Sequence, residues 1–134
     1  MIASDIMTRK VITIHPEASA QEAAQLLDQK RISGLPVLDA SGSLIGIVTE
    51  ADIISKVNRY GLLDLDGLRV ADIMSREVMT VNEETPVSEI ATLLTERKIK
   101  RVPVVRQGGR LVGIVSRGDI VHAVALGHLI IRQW

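Results

Sequence analysis

Two hydroxyl residues each precede an aspartate by three positions, and the two pairs are 67 residues apart: Thr49 with Asp52, and Ser116 with Asp119. A hydroxyl at the start of a helix lies beside free backbone amides and the positive end of the helix dipole, which favour a phosphate group. The aspartate can accept hydrogen bonds from both hydroxyls of a ribose. The same spacing fits a capping box, in which the acid bonds back to the cap amide. Nucleotide binding and helix capping are therefore both open for these four residues.

Other residues with suitable chemistry flank these pairs. Gly46 and Gly113 lack a side chain, so a ligand can approach the strand backbone closely. Basic side chains precede the second strand of each half and are candidates for phosphate contacts: Lys30, Arg31, Lys98, Lys100 and Arg101. The second half has more positive charge available, although a solvated surface is the alternative role for its lysines.

The surrounding chain is a tandem repeat. The segment from Asp5 to Ile53 aligns without a gap on Asp72 to Ile120, with 21 identities in 49 columns. A period this long is typical of two like-folded halves about a pseudo-twofold axis, and not of a solenoid. Any pocket built by one half should therefore occur twice.

Local signals predict the order strand, helix, strand, strand, helix in each half. The first strand covers Val11 to Ile14, and Ser19 caps the first helix. Thr85 and Pro86 start the equivalent helix of the second half. A hairpin follows in each half, at Leu35 to Leu38 with Leu44 to Val48, and at Val102 to Val105 with Leu111 to Val115. Thr49 and Ser116 are the expected N-caps of the last helices, whose predicted buried faces are Ile53, Ile54 and Val57, and Ile120, Val121 and Val124. The predicted domains are 1–60 and 70–134, joined by a linker at 61–69.

Composition excludes several functional classes. Sixteen basic and sixteen acidic residues balance, without a basic run, so a nucleic-acid partner is not expected. There is no cysteine for a disulfide or a thiol nucleophile, and His15, His122 and His128 lack metal-ligand spacing. The sequence shows no leader and no span long enough for a bilayer, which predicts a cytoplasmic protein without membrane contact. No acid, base and nucleophile constellation is evident, so an enzyme is not predicted.

The repeated motifs carry a family resemblance. DIM, a strand with a threonine, LPVLD or VPVVR, and then LIGIVTEADI or LVGIVSRGDI resemble a tandem pair of CBS domains, the Bateman module, in a stand-alone protein. The resemblance implies an α/β (α+β) fold of two pseudo-twofold related β-α-β-β-α halves whose three-stranded sheets pack together. It also implies two clefts that bind AMP, ADP or ATP, or S-adenosylmethionine, and pairing of two modules into a disc.

The resemblance also assigns site residues. Adenine is expected against the first strand of each half, at Val11, Ile12 and Thr13 and at Val78, Met79 and Thr80. The predicted nucleotide-binding set consists of these six residues together with Arg31, Gly46, Thr49, Asp52, Lys98, Lys100, Arg101, Gly113, Ser116 and Asp119. Of the two clefts, the second is predicted to be the working one because of its greater positive charge.

The predicted function is that of a regulatory module that binds an adenosine nucleotide, requires no cofactor and modulates a protein partner. The alternatives are a structural dimerisation module with degenerate clefts and an S-adenosylmethionine sensor. The run from Ile120 to Trp134 is more apolar than a one-sided surface helix requires, which predicts a homodimer. Folding of Leu129 to Trp134 back on its own chain is the other explanation.

Overall fold

The computed structural model describes residues 1–60 and 67–127 of the chain. Most of the predicted linker, His128 and the segment from Leu129 to Trp134 lie outside the described residues. The elements, in chain order, are α1 (Ala3–Ile6), α2 (Ala20–Lys30), β1 (Gly34–Leu38), β2 (Leu44–Thr49), α3 (Glu50–Tyr60), α4 (Val70–Ile73), α5 (Val87–Glu96), β3 (Arg101–Val105), β4 (Leu111–Ser116) and α6 (Arg117–Ala125), with a 3-10 turn at Gln107–Gly109.

The chain forms two compact units that do not coincide with the two sequence repeats. The first-repeat unit is Ile12–Val78, and the second-repeat unit joins Met1–Val11 to the chain from Met79 onward. The Asp-Ile-Met tripeptide of each repeat therefore belongs to the unit built by the other repeat. The domain boundaries at 1–60 and 70–134 stay a prediction about the repeats.

Each unit contains one antiparallel hairpin, as the sequence predicted. In the first-repeat unit β1 pairs with β2, and Gly34 lies opposite Thr49. In the second-repeat unit β3 pairs with β4, and Arg101 lies opposite Ser116. The hairpins thus place the residue before each terminal helix beside the first residue of the preceding strand. The two halves are alike, and the mixed helix and strand fold is the one predicted.

The first strand of each repeat contributes less than was predicted. Val11 to Ile14 is reduced to a single parallel bridge from Ile14 to Val37. Ile14 donates its amide to the Pro36 carbonyl at 3.1 Å, and its carbonyl accepts from Leu38 at 3.0 Å. Pro36 has no amide proton for the carbonyl two residues before Ile14, so the parallel ladder ends there. Val81 and Pro103 repeat this arrangement in the second-repeat unit.

We call residues 3–8 and 70–75, which contain the Asp-Ile-Met tripeptides, the exchanged segments. Each begins with a single-turn helix that the sequence did not predict. In α1 the Asp5 carboxylate accepts from the Ile2 amide at 2.8 Å, and in α4 that of Asp72 accepts from the Arg69 amide at 2.9 Å. Each helix is followed by an antiparallel bridge to the hairpin of its unit, from Thr8 to Ile114 and from Ser75 to Ile47. At their other ends the Ala3 amide donates to the Thr85 carbonyl at 2.9 Å and the Val70 amide to the Ala18 carbonyl at 2.7 Å, so backbone hydrogen bonds fix the exchange at both ends.

Each unit has its own apolar core. That of the first-repeat unit includes Leu35, Val37 and Val48 from the hairpin with Leu27 of α2, and Val70 and Met74 reach it from the exchanged segment. The second-repeat core contains Val102, Val104 and Val115 with Ile90, and Ala3 and Met7 reach it from the amino terminus. The exchanged segments are therefore part of the cores.

The buried faces predicted for the last helices were partly wrong. Ile120 packs against the second core and Ala123 is buried, but Val121 and Val124 are 66% and 54% exposed. Successive helix positions turn by about 100°, so the neighbours of the two inward residues point away from the sheet. In α3, Ile53 packs on the first core whereas Ile54 is 59% exposed. Apolar side chains are therefore exposed on both helices, Ile54 on α3 and Val121 and Val124 on α6.

Candidate functional site

The two hydroxyl and aspartate pairs cap α6 and α3. In α6 the carboxylate of Asp119 accepts at Oδ2 from the Ser116 amide at 2.8 Å and from the Ser116 hydroxyl at 3.1 Å, while Ser116 Oγ accepts from the Asp119 amide at 3.2 Å. In α3, Asp52 Oδ2 and Thr49 form the same bonds at 2.8, 3.1 and 3.4 Å. The capping role is therefore present, and in each case it uses one carboxylate oxygen.

Capping also consumes most of the amides that a phosphate would use. The first-turn amides of α6 follow Ser116, and that of Arg117 donates to the Lys100 carbonyl at 3.0 Å. The Asp119 amide is bound to Ser116 Oγ. In the described part of the chain, Gly118 keeps the one first-turn amide of α6 without a recorded partner, and Ala51 holds the equivalent place in α3. An anion at either helix start would therefore depend on side chains.

The charge at the two helix starts differs. We call Thr49, Glu50 and Asp52 with Ser33 the Asp52 site, and Ser116, Arg117 and Asp119 with Lys100 the Asp119 site. The Glu50 amide bonds to the Ser33 carbonyl at 3.0 Å, as the Arg117 amide does to that of Lys100. The backbones therefore match, whereas the Asp119 site carries two cations in the places of Glu50 and Ser33. Arg101, half-buried, adds a third opposite Ser116.

The two strand glycines have an additional role that the sequence did not suggest. A methyl group on Gly113 would come within 2.6 Å of Met7 Sδ, and one on Gly46 within 2.7 Å of Met74 Sδ and 2.9 Å of the Ser75 carbonyl oxygen. The exchanged segments fill this space. Ligand contact by these glycines stays a prediction, and their small size is required by packing in any case.

Arg31 and Lys98 occupy equivalent left-handed positions after α2 and α5. Both have φ of 54°, a conformation in which glycine is the usual residue. Both side chains are exposed. The next amide in each case, of Ile32 or Ile99, bonds back to the helix at 3.1 Å. The backbone thus tolerates a basic side chain where glycine would be less strained.

The predicted adenine residues divide between the units. Ile12, Thr13 and Val78 belong to the first-repeat unit, and Val11, Met79 and Thr80 to the second-repeat unit. Met79 and Thr80 line an open groove of about 530 Å³ beside α5, whose wall also contains Val81, Asn82, Thr85, Glu89, Thr92, Leu93 and Glu96. The two glutamates make this groove unsuited to a phosphate. The residues named for its wall include none of the Asp119 site.

Sequence reasoning missed Thr8 and Arg117. The Thr8 hydroxyl donates to Asp119 Oδ1 at 3.2 Å, across 111 positions of sequence. Arg117 is exposed at the first position of α6, and its Nε donates to the Ile99 carbonyl at 3.1 Å. Arg117 could have been found by comparing the repeats, because it aligns with Glu50. Nothing in the sequence points to the contact of Thr8.

Residues 1–60 and 67–127 contain neither a cluster of metal ligands nor a helix that could span a membrane. His15 and His122 are exposed. No three histidine or carboxylate side chains in these ranges are grouped to hold a metal ion. None of the helices described in them has the length and apolar character needed to cross a membrane.

Comparison with known proteins identifies the repeat. The CBS domain model matches residues 3–59 and 70–126. The chain belongs to the CBS domain family. This CBS pair is 30% identical to an uncharacterized protein of Methanocaldococcus jannaschii, with 92% of this chain and 91% of that protein covered. It also matches the L-aspartate semialdehyde sulfurtransferase of the same archaeon at 35% identity over 89% of this chain, but spans only 22% of that longer protein.

Two solved CBS pairs are similar to the chain over nearly their whole length. The CBS domain pair of protein MJ0100, in complex with 5′-methylthioadenosine and S-adenosyl-L-methionine, is 34% identical with a TM-score of 0.80, covering 95% of this chain and 98% of that one. CBSX2 of Arabidopsis thaliana, in complex with AMP, is 32% identical with a TM-score of 0.84, covering 96% and 98%. Nucleoside ligands are thus found in CBS pairs of this fold.

Proposed function

We propose that this CBS pair is a regulatory module that binds an adenosine nucleotide, AMP, ADP or ATP, and alters a protein partner in response. The ligands of the two similar pairs support adenosine as the common element. AMP, methylthioadenosine and S-adenosylmethionine share adenine and a ribose with two hydroxyls, and they differ at the 5′ carbon. Recognition by this chain therefore begins with the nucleoside, and the 5′ group selects among ligands.

The capping aspartates are the proposed ribose acceptors. Oδ2 of each is held by its cap, and Oδ1 lies at the partly buried helix start with acceptor capacity remaining. A carboxylate held in this way needs no rearrangement to accept a ribose hydroxyl. This fixed carboxylate is the observation that carries the proposal, together with the adenosine ligands of the similar pairs.

Charge favours the Asp119 site for the phosphate. Lys100 and Arg117 lie there next to the cap, in the places of Ser33 and Glu50. A charge-assisted hydrogen bond from either cation suits a phosphate oxygen, whereas Glu50 repels it. The Asp52 site accordingly suits a 5′ group that is neutral or cationic, as in the S-adenosylmethionine alternative. For AMP, ADP and ATP we rank the Asp119 site first.

Thermal shift with titration calorimetry tests the proposal. AMP, ADP and ATP should raise the melting temperature, because a ligand that binds only the native state stabilises it, and GMP should do so less. The Asp52→Ala, Asp119→Ala double variant should lose this stabilisation. Asp28→Ala, which removes an exposed carboxylate from α2, is the control. Equal nucleotide affinity of the double variant and the wild type would refute the ribose assignment.

A second proposal is homodimerisation through α3 and α6. Ile54, Val121, Val124 and Leu126 are all more than half exposed on these helices or at their end. Large apolar side chains grouped on a helix face favour a protein contact over water. A dimerisation module without ligand is the rival function, and it predicts pairing with no response to any adenosine compound.

The regulatory role needs no chemistry at the site. The carboxylates of the two sites are engaged as helix caps, because each accepts from the amide and the hydroxyl of its cap residue. We therefore propose binding without catalysis. A cytoplasmic location and a regulated protein partner complete the proposal, and pull-down with and without AMP would test the partner.

A further inference from the structure

The two proposed ribose acceptors differ in how many of their lone pairs are occupied. Each carboxylate oxygen can accept two hydrogen bonds. Oδ2 is filled in both sites by the amide and hydroxyl of the cap. Asp119 Oδ1 also accepts from the Thr8 hydroxyl at 3.2 Å. For Asp52 Oδ1 there is no recorded donor among the described residues. Asp52 therefore keeps two open acceptor positions, and Asp119 keeps one.

The difference comes from the side chain at one position of the exchanged segments. Thr8 and Ser75 are equivalent in the repeat and have the same backbone pairing. Thr8 bonds to Ile114 at 2.8 and 3.0 Å, and Ser75 to Ile47 at 2.8 and 2.9 Å. Within the described chain Ser75 has no recorded side-chain bond to Asp52. A threonine has restricted χ1, which holds its hydroxyl in one direction more firmly than in serine.

We infer that Thr8 is a specificity-determining residue that makes the Asp119 site less selective for an intact ribose diol than the Asp52 site. A ribose presents two hydroxyl donors. Asp52 Oδ1 can accept both, whereas Asp119 Oδ1 can accept the second only if Thr8 gives way. Loss of one ribose hydroxyl should therefore weaken binding more at the Asp52 site. This inference rests on the proposed adenosine binding.

An NMR titration of the full chain separates the two sites without disabling either. The amides of Ala51 and Gly118 report the Asp52 and Asp119 sites, and AMP and 2′-deoxy-AMP are the probes. In the wild type the ratio of AMP to 2′-deoxy-AMP affinity should be larger at Ala51 than at Gly118. Thr8→Val should raise AMP affinity at Gly118 by about 2- to 10-fold, the range of one hydrogen bond, and leave 2′-deoxy-AMP unchanged.

Matched variants distinguish competition from a structural effect. Thr8→Ser makes position 8 equivalent to Ser75 and should move the affinity ratio at Gly118 toward that at Ala51, whereas Ser75→Ala should change neither site. Thr8→Ala serves as a second variant if the valine disturbs folding. A general loosening of the unit would alter both ligands alike and would overturn the inference, as would unchanged or weaker AMP binding in Thr8→Val. If AMP binds to neither site of the wild type, the proposed function itself fails and the inference fails with it.

Discussion

Gly113 lies against the sulfur of Met7, so closely that a methyl group on the glycine would come within 2.6 Å of it. Met7 belongs to the amino-terminal segment, and its side chain is buried in the core of the second-repeat unit. Gly46 and Met74 repeat the contact in the first-repeat unit, where the Ser75 carbonyl is also 2.9 Å from the methyl position. Gly46 of β2 and Gly113 of β4 thus leave the space into which the exchanged segments pack.

Alanine at these glycines should destabilise the protein. Overpacking of a filled site costs about 1 to 3 kcal/mol. Gly46→Ala should cost slightly more than Gly113→Ala, because the methyl group would lie 2.9 Å from the Ser75 carbonyl oxygen in the first case and 3.1 Å from the Thr8 carbonyl oxygen in the second, and both carbonyls are fixed by backbone bonds. Urea unfolding measures the change in free energy.

The matched control for the glycine test lies two residues into α6. The nearest atom to a methyl group on Gly118 is Ser116 Oγ at 3.6 Å, an ordinary contact. Gly118→Ala should therefore stabilise by up to about 1 kcal/mol through helix propensity. Equal effects of alanine at Gly113 and Gly118 on the free energy of unfolding would contradict the close packing of Gly113 against Met7.

The hairpins and helix caps were predictable because their signals are local. Two short apolar runs around a turn define each hairpin, and Ser116 precedes Asp119 by the capping interval. The difference in charge was predictable too, since aligning the repeats sets Lys100 beside Ser33. These features depend on a few neighbouring residues or on the repeat itself.

The exchange of segments was not predictable from the same signals. Alignment assigns Asp5 to Met7 to the first repeat, but these residues pack with the second, and both cores would accept the same motif. The Thr8 to Asp119 hydrogen bond follows from that choice. The exposed faces of α3 and α6 were missed because apolar residues at adjacent positions look alike in sequence, and only the packed sheet selects Ile120 over Val121.

Glycine at the two left-handed positions should separate stability from binding. A left-handed conformation costs a residue with a β-carbon about 1 to 2 kcal/mol, partly offset by the greater unfolded freedom of glycine. Arg31→Gly and Lys98→Gly should therefore leave the free energy of unfolding unchanged or raise it by up to about 1 kcal/mol. Gln29→Gly, inside α2, should lower it by about 1 kcal/mol. If Lys98 contacts phosphate, Lys98→Gly also weakens ATP binding in calorimetry, and an unchanged affinity removes Lys98 from the site.

Acid should weaken the first hairpin turn. The Ser41 hydroxyl and the Ser43 amide bond to Asp39 and hold the pKa of its carboxyl below the usual value. A lowered folded-state pKa stabilises the fold above the ordinary aspartate pKa, and this contribution is lost as pH falls through the lowered value. The stability difference between wild type and Asp39→Asn should therefore be largest at neutral pH and shrink toward about pH 2. Urea unfolding across this range checks the trend, and a stability difference that does not change with pH would contradict it.

A carboxylate at an exposed apolar position of α3 or α6 should disrupt the proposed dimer. Burying an unpaired charge at an interface is costly, so Val121→Asp or Ile54→Asp should shift the protein toward monomer. Ser55→Asp adds the same charge at an exposed polar position of α3 and is the control. Sedimentation velocity at tens of micromolar measures the shift. A wild type that is already monomeric there would exclude this homodimer. Leu129→Asp and Ile130→Asp extend the test to the apolar run beyond the described residues.

Salt should discriminate between AMP and ATP at the Asp119 site. The added phosphates of ATP draw on Lys100 and Arg117, whose exposed charges are screened by ions, so ATP affinity should fall more steeply with salt than AMP affinity. Lys100→Ala with Arg117→Ala should remove most of this difference, at about 2- to 5-fold per cation, and leave adenosine binding intact. Lys100→Ala with Arg101→Ala tests the third cation in the same way.

Lys10→Ala with Arg110→Ala removes the same charge from exposed positions elsewhere in the second-repeat unit and should preserve the difference between ATP and AMP. Calorimetry at two salt concentrations measures the difference. An equal loss of the ATP effect in the Lys100, Arg117 variant and in the Lys10, Arg110 variant would argue against a phosphate held at Ser116.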